Sequence, residues 1–117
     1  MSRITTADTF DLHPVEVWLE PYLPGPDIED IAGRDQMIHV LKGTVSVRIG
    51  DSWTRIGAGS FVVVPGGFSS EIQNESAIPA GFVSCSLPNK LTIPIIDVIT
   101  LLRQWRDEVV PDFETGA

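Results

Sequence analysis

Donors for a soft or borderline metal are scarce in this sequence. Its 117 residues hold one cysteine, Cys85, and two histidines, His13 and His39. A single cysteine excludes an internal disulfide and a cysteine-based zinc site, and Cys85 reads as a small buried apolar residue. Cations are also few, with 8 Lys and Arg against 16 Asp and Glu and a formal net charge of −8. Without clustered Lys or Arg the chain suits neither nucleic acid nor an anionic membrane as a main partner. No stretch reaches the ~18 uninterrupted apolar residues of a membrane span. The start, MSRITTADTF, has no basic stretch leading into an apolar one, so it does not read as a signal peptide, and a cytoplasmic protein is expected. There is no phosphate loop, because Gly66-Gly67 follows a strand but precedes no helix. Ser70 has no histidine near it in sequence, so no Ser-His-Asp arrangement is supported.

What the chain does have is apolar alternation. A 43% hydrophobic content argues for one folded domain rather than disorder. Val15, Val17 and Leu19 alternate with Glu16, Trp18 and Glu20, the period of a half-buried strand. Further strands are expected over Asp27–Ile31, Gln36–Lys42, Thr44–Ile49, Ser52–Ile56, Phe61–Val64, the segment after Gly67, and Ala80–Leu87. Turn signals at Pro21–Pro26, Ala32-Gly33, Gly43, Gly50-Asp51 and Ala58-Gly59 separate them. About eight short strands at this spacing predict an all-β sandwich or barrel. The period changes after Pro94. Ile95, Ile99, Leu102, Trp105 and Val109 recur at threes and fours, with Val98 and Leu101 widening the stripe, which predicts an amphipathic helix over about 94–110. Asp97 near its start, Arg103 and Arg106 toward its end, and Pro111 beyond it agree with the helix dipole and a stop. Residues 1–90 thus read as one barrel domain with an N-terminal arm. Residues 91–117 read as a helix and tail, packed on that barrel or on a dimer partner.

The stretch from Gly59 to Asn74, GSFVVVPGGFSSEIQN, organises the rest. A strand runs into Pro65, which lacks an N–H and ends the ladder, and two glycines allow a sharp turn. Gly59, Pro65, Gly67 and Asn74 fall in register with the second signature of the cupin superfamily, G-x5-P-x-G-x2-H-x3-N, which this stretch resembles. Ser70 stands where that signature has a metal-binding histidine. The first signature is similar only at its end: Gln36 takes the place of its glutamate, followed by MIHVLK and Gly43. Its histidine pair would fall at Glu29 and Ile31, or at Asp30 and Ala32. The resemblance covers about residues 27–87. It implies the cupin jelly-roll barrel, a double-stranded β-helix, with the C-terminal helix added to it.

In that family imidazoles and one carboxylate hold iron, manganese, nickel or zinc. Here an amide, a hydroxyl and one carboxylate would remain, a weak set for those metals. His39 does not restore it, because strand alternation places it on the face opposite Gln36, with Met37 and Leu41. The expected function is therefore metal-independent binding of a small organic ligand in the barrel. Gln36 and Ser70 would supply polar contacts, Ile38, Val40 and Val47 an apolar lining, and Trp53 and Phe68 a flat wall. Such a protein either catalyses nothing or acts as an isomerase or cyclase with Glu29 or Asp30 as acid or base. Three alternatives stay open. One is a metal enzyme, oxygenase-like, with a divalent metal on Asp27, Glu29 or Asp30. Another is a non-catalytic dimeric scaffold. The third is that Gln36 and Ser70 merely bond each other in a filled barrel. The apolar face of Met37, His39 and Leu41 argues for a homodimer.

Overall fold

A computed structural model describes residues 10–25, 33–68 and 70–109. The described residues form seven strands and one helix: β1 (His13–Leu19), β2 (Gln36–Lys42), β3 (Thr44–Ile49), β4 (Ser52–Gly57), β5 (Phe61–Val64), β6 (Ser70–Asn74), β7 (Ala80–Ser86) and α1 (Ile95–Val109). They form two antiparallel sheets, one in the order β1-β7-β2-β5 and the other β4-β3-β6. The strand expected over Asp27–Ile31 lies outside the described residues. The chain before it, at Leu23–Gly25, runs along β6, with Gly25 N–H bonded to Ile72 O and Asn74 N–H to Leu23 O.

Register decides which side chains meet between the sheets. In the larger sheet Val17 pairs with Phe82 and Leu19 with Ala80, Ile38 pairs with Val62, and Val40 pairs with Phe82. In the smaller one Val47 pairs with Ile72 and Val45 with Ile56. Opposed residues of an antiparallel pair share a face, and these share the inner one. Ile38, Val40, Val45, Val47, Ile72 and Phe82 form one apolar cluster. Full burial of each such side chain contributes about 1.5–3 kcal/mol, and together they fill the middle of the barrel.

The odd-numbered residues of β2 face the other way. Met37 and Val83 join Val98, Ile99 and Leu102 of α1 in a second apolar cluster, against which Leu41 and Trp105 pack. The helix therefore packs on the outside of its own larger sheet. This corrects the case for pairing through Met37, His39 and Leu41. Met37 is fully buried and His39 is 5% exposed, because the chain's own helix covers them. Glu16 on β1 fixes the far end of α1: Arg106 Nε donates to one of its carboxylate oxygens and Trp18 Nε1 to the other, at 2.8 Å. Burial acts to raise the Glu16 carboxyl, but these two bonds and the Arg106 charge outweigh it and hold it below its ordinary value. Cys85 lies in the same outer cluster, where burial pushes its thiol up to about 12, so it is an inert core residue. No described helix is long and apolar enough to cross a membrane.

Candidate functional site

The two ends of the barrel differ. At one end β1 finishes, β6 finishes and β7 begins, and Asn74 is the fully buried link between them. Its Nδ2 reaches the carbonyls of Leu19 (3.2 Å), Glu20 (3.0 Å) and Ile78 (2.9 Å). Its Oδ1 accepts from Ser76 N–H at 2.7 Å. Ser76 Oγ in turn accepts from Thr44 N–H at 2.6 Å. Gly43 beside it has φ of 81°, and a Cβ there would lie 3.0 Å from both Ala80 Cβ and Ser76 Oγ. Glycine is needed on both counts, and this end is shut.

At the other end β2 starts at Gln36, β5 finishes at Val64, β6 starts at Ser70 and β7 finishes at Ser86. Gln36 pairs with Val64 on one side and Ser86 on the other, while Ser70 pairs with Ile49 on the inner face of the opposite sheet. Gln36 Nε2 is 3.4 Å from Ser84 Oγ. Gln36 Oε1, Ser70 Oγ and Ser86 Oγ are buried and have no hydrogen-bond partner among the described residues. Leaving a buried polar group unpaired costs about 1–3 kcal/mol, so three at one end of a small barrel require an explanation. Gln36 and Ser70 do not bond each other, which removes the filled-barrel alternative in its simple form. Val15, opposite Ser84 in register, is 58% exposed. An inner-face apolar residue that remains exposed marks this end as open.

The turn between β5 and β6 frames the opening. Asp35 Oδ1 accepts from Gly66 N–H at 2.9 Å. Arg34 donates to Leu87 O at 2.6 Å and to Asp11 O at 2.7 Å. Arg34-Asp35 is thus a clasp joining three segments. The two turn glycines serve different needs. Gly67 has φ of 88°, whereas a Cβ on Gly66 would stand 1.9 Å from Gly33 O; one supplies a conformation and the other a close approach.

Of the residues expected here, Gln36 and Ser70 lie at the opening. Ile38, Val40 and Val47 form the packed floor beneath it rather than free walls. Phe68 is 52% exposed beside the β3–β4 turn, within 3.8 Å of where a Cβ on Gly50 would sit, and makes a rim. Trp53 is a correction: it pairs with Arg48 on the outer face of the smaller sheet and is 51% exposed, because alternation along β4 turns it away from the barrel. Asp27, Glu29 and Asp30 lie outside the described residues. Ser84 and Ser86 were missed, although they continue the alternation of Ala80 and Phe82 along β7.

The donors fit a transition metal poorly. Gln36, Ser70, Ser84 and Ser86 offer neutral amide and hydroxyl oxygens, and these are weak ligands for iron, manganese, nickel or zinc. Among the described residues no three of His, Cys, Asp and Glu come together as a metal-holding group. His13 is at the surface on Asp11, 2.9 Å away, and His39 is on the outer face under α1.

No family model matches the sequence, and no curated protein matches it. Solved structures do match. A cupin protein from Bacteroides fragilis superposes with a TM-score of 0.62 at 14% identity, covering 80% of each chain. A cupin family protein with a double-stranded β-helix fold from Methanocaldococcus jannaschii gives 0.59 at 18% identity, covering 66% of this chain and 70% of that one. The cupin domain of Cnp3 from Schizosaccharomyces pombe gives 0.58 at 14% identity, covering 66% of this chain and 53% of that one. The chain therefore spans only about half of the Cnp3 structure.

Proposed function

We propose that this chain, which has the cupin double-stranded β-helix fold, binds a small organic molecule at the Gln36 end of its barrel without a tightly held transition metal. The observation that carries this reading is the set of three buried atoms without a partner among the described residues, Gln36 Oε1, Ser70 Oγ and Ser86 Oγ. An amide oxygen accepts, and a hydroxyl both donates and accepts. A ligand bearing hydroxyl or carbonyl groups would satisfy all three. Its apolar part would rest on Val15 and Phe68, and the packed floor of Ile38, Val40 and Val47 limits how deep it enters. A few convergent polar groups on an apolar floor are the usual composition of a small-molecule site. No reaction step is assigned to Glu29 or Asp30.

A thermal-shift screen of uncharged hydroxylated and carbonyl compounds tests the proposal. A compound that stabilises the native protein should lose its effect in both Gln36→Leu and Ser70→Val. Stabilisation that survives both substitutions would place the ligand elsewhere. Stoichiometric iron, manganese, nickel or zinc in protein purified without chelator would overturn the metal-independent part.

A further inference from the structure

A cavity lies outside the barrel, on the opposite side of the larger sheet. It occupies about 400 Å³ between the C-terminal half of α1 and the outer face of β2 and β7. Its apolar wall is Leu41, Val83 and Leu102, and its polar groups are His39, Arg103, Arg106 and Asp107.

Three features of the polar groups matter. His39 is 5% exposed and its Nε2 is buried without a partner among the described residues. Burial, and then the Arg103 charge, hold its imidazole below the ordinary value, which keeps the ring neutral with one N–H to donate. Arg106 spends its Nε on Glu16, and its terminal amines bond no described residue. Arg103 forms no ion pair with a described residue, not even with Asp107 one turn along the same helix face, where an i, i+4 pair of this kind usually meets.

We infer that this cleft is a binding site for a small monoanion with an apolar body, such as a medium-chain carboxylate. The carboxylate sits on Arg103 and the free amines of Arg106, with His39 as a neutral donor, and the chain lies along Leu41, over the buried Val83 and Leu102. A guanidinium is the side chain best matched to a carboxylate's two oxygens. Asp107 at the same cleft opposes a second negative charge, so a monoanion is preferred over a phosphate.

Hexanoate is the probe, read by the imidazole resonances in a carbon–proton NMR spectrum. The chain has only two histidines, and His13, on a different face with its side chain 57% exposed, is an internal control. Hexanoate should shift the His39 signal saturably and leave His13 in place, while 1-hexanol and inorganic phosphate shift neither. Arg103→Gln should weaken hexanoate binding about tenfold, the loss of one charge-assisted bond of ~1.4 kcal/mol. Arg103 is exposed, so this variant folds. Ser70→Val, in the barrel opening, should leave the titration unchanged, which separates this site from the one proposed above. An unmoved His39 signal at tens of millimolar hexanoate, an equal response to 1-hexanol, or full affinity in Arg103→Gln would each overturn the inference.

Discussion

The barrel's two ends are built from the same sheets and to opposite purposes. At the Asn74 end no buried side-chain N or O of the described residues lacks a partner: one amide reaches three carbonyls and accepts from one N–H. At the Gln36 end, three buried oxygens have none among the described residues. The difference teaches where the fold keeps its stability and where it leaves room for chemistry. A fully bonded buried network rigidifies. An incompletely bonded one is tolerated where something else completes it.

The contrast makes predictions of graded size. The largest effect is expected from Asn74→Ala, which strips three carbonyls, one of them in a buried bond, and one N–H of their partner. About 3–5 kcal/mol of unfolding free energy should be lost, measured from urea midpoints. A loss below ~1 kcal/mol would mean that this end is not the anchor. Gly66→Ala is the attempt to break the comparison from the other side. Its Cβ would collide with the Gly33 carbonyl, and about 2–3 kcal/mol should be lost, so the frame of the opening is rigid although its lining is not satisfied. Gly67→Ala should cost about 1–2 kcal/mol, for its φ alone.

Ser70→Ala and Ser86→Ala sharpen the comparison. Removing a polar atom that has no partner should change stability by less than ~1 kcal/mol, and in the stabilising direction if it changes at all. A large loss in either would show that those hydroxyls are bonded in the folded protein. The smallest effect is on pH dependence, and it belongs to the helix side of the molecule. His39 has a folded value below its ordinary 6.5. Its contribution is therefore full above 6.5 and is lost as pH falls from there through the lower folded value. The Glu16 carboxyl, also lowered, contributes fully above its ordinary 4.5 and is lost as pH falls below that. Urea midpoints measured downward through 6.5 should decline in two steps, and His39→Phe should remove only the upper one.

Much of this was legible in the sequence, for identifiable reasons. Strand alternation placed Val15, Val17 and Leu19 on one face and His39 opposite Gln36, because period two is a direct consequence of the pleat. The threes and fours of Ile95, Ile99, Leu102 and Trp105 located α1 for the same kind of reason. Gly59, Pro65, Gly67 and Asn74 carried the fold because turn geometry and a buried amide constrain residue type tightly. Trp53 misled, since a short edge strand can present either face and only register decides which. Arg34 and Asp35 were missed because their partners, Leu87 O, Asp11 O and Gly66 N–H, are backbone groups far away in sequence. No pattern of residue types reports such bonds. Ser84 and Ser86 could have been found, since the alternation that buries Ala80 and Phe82 points both of them inward.

The Asn74 amide has one more implication, for the route by which the chain reaches its native state. Two of its partners, the carbonyls of Leu19 and Glu20, belong to β1 and the loop after it, so it can complete its bonds only after these distant parts of the chain have docked. Contacts with such long closures form late. Asn74→Ala should leave the refolding rate nearly unchanged and accelerate unfolding instead, which makes this one side chain a latch on the native lifetime of the barrel.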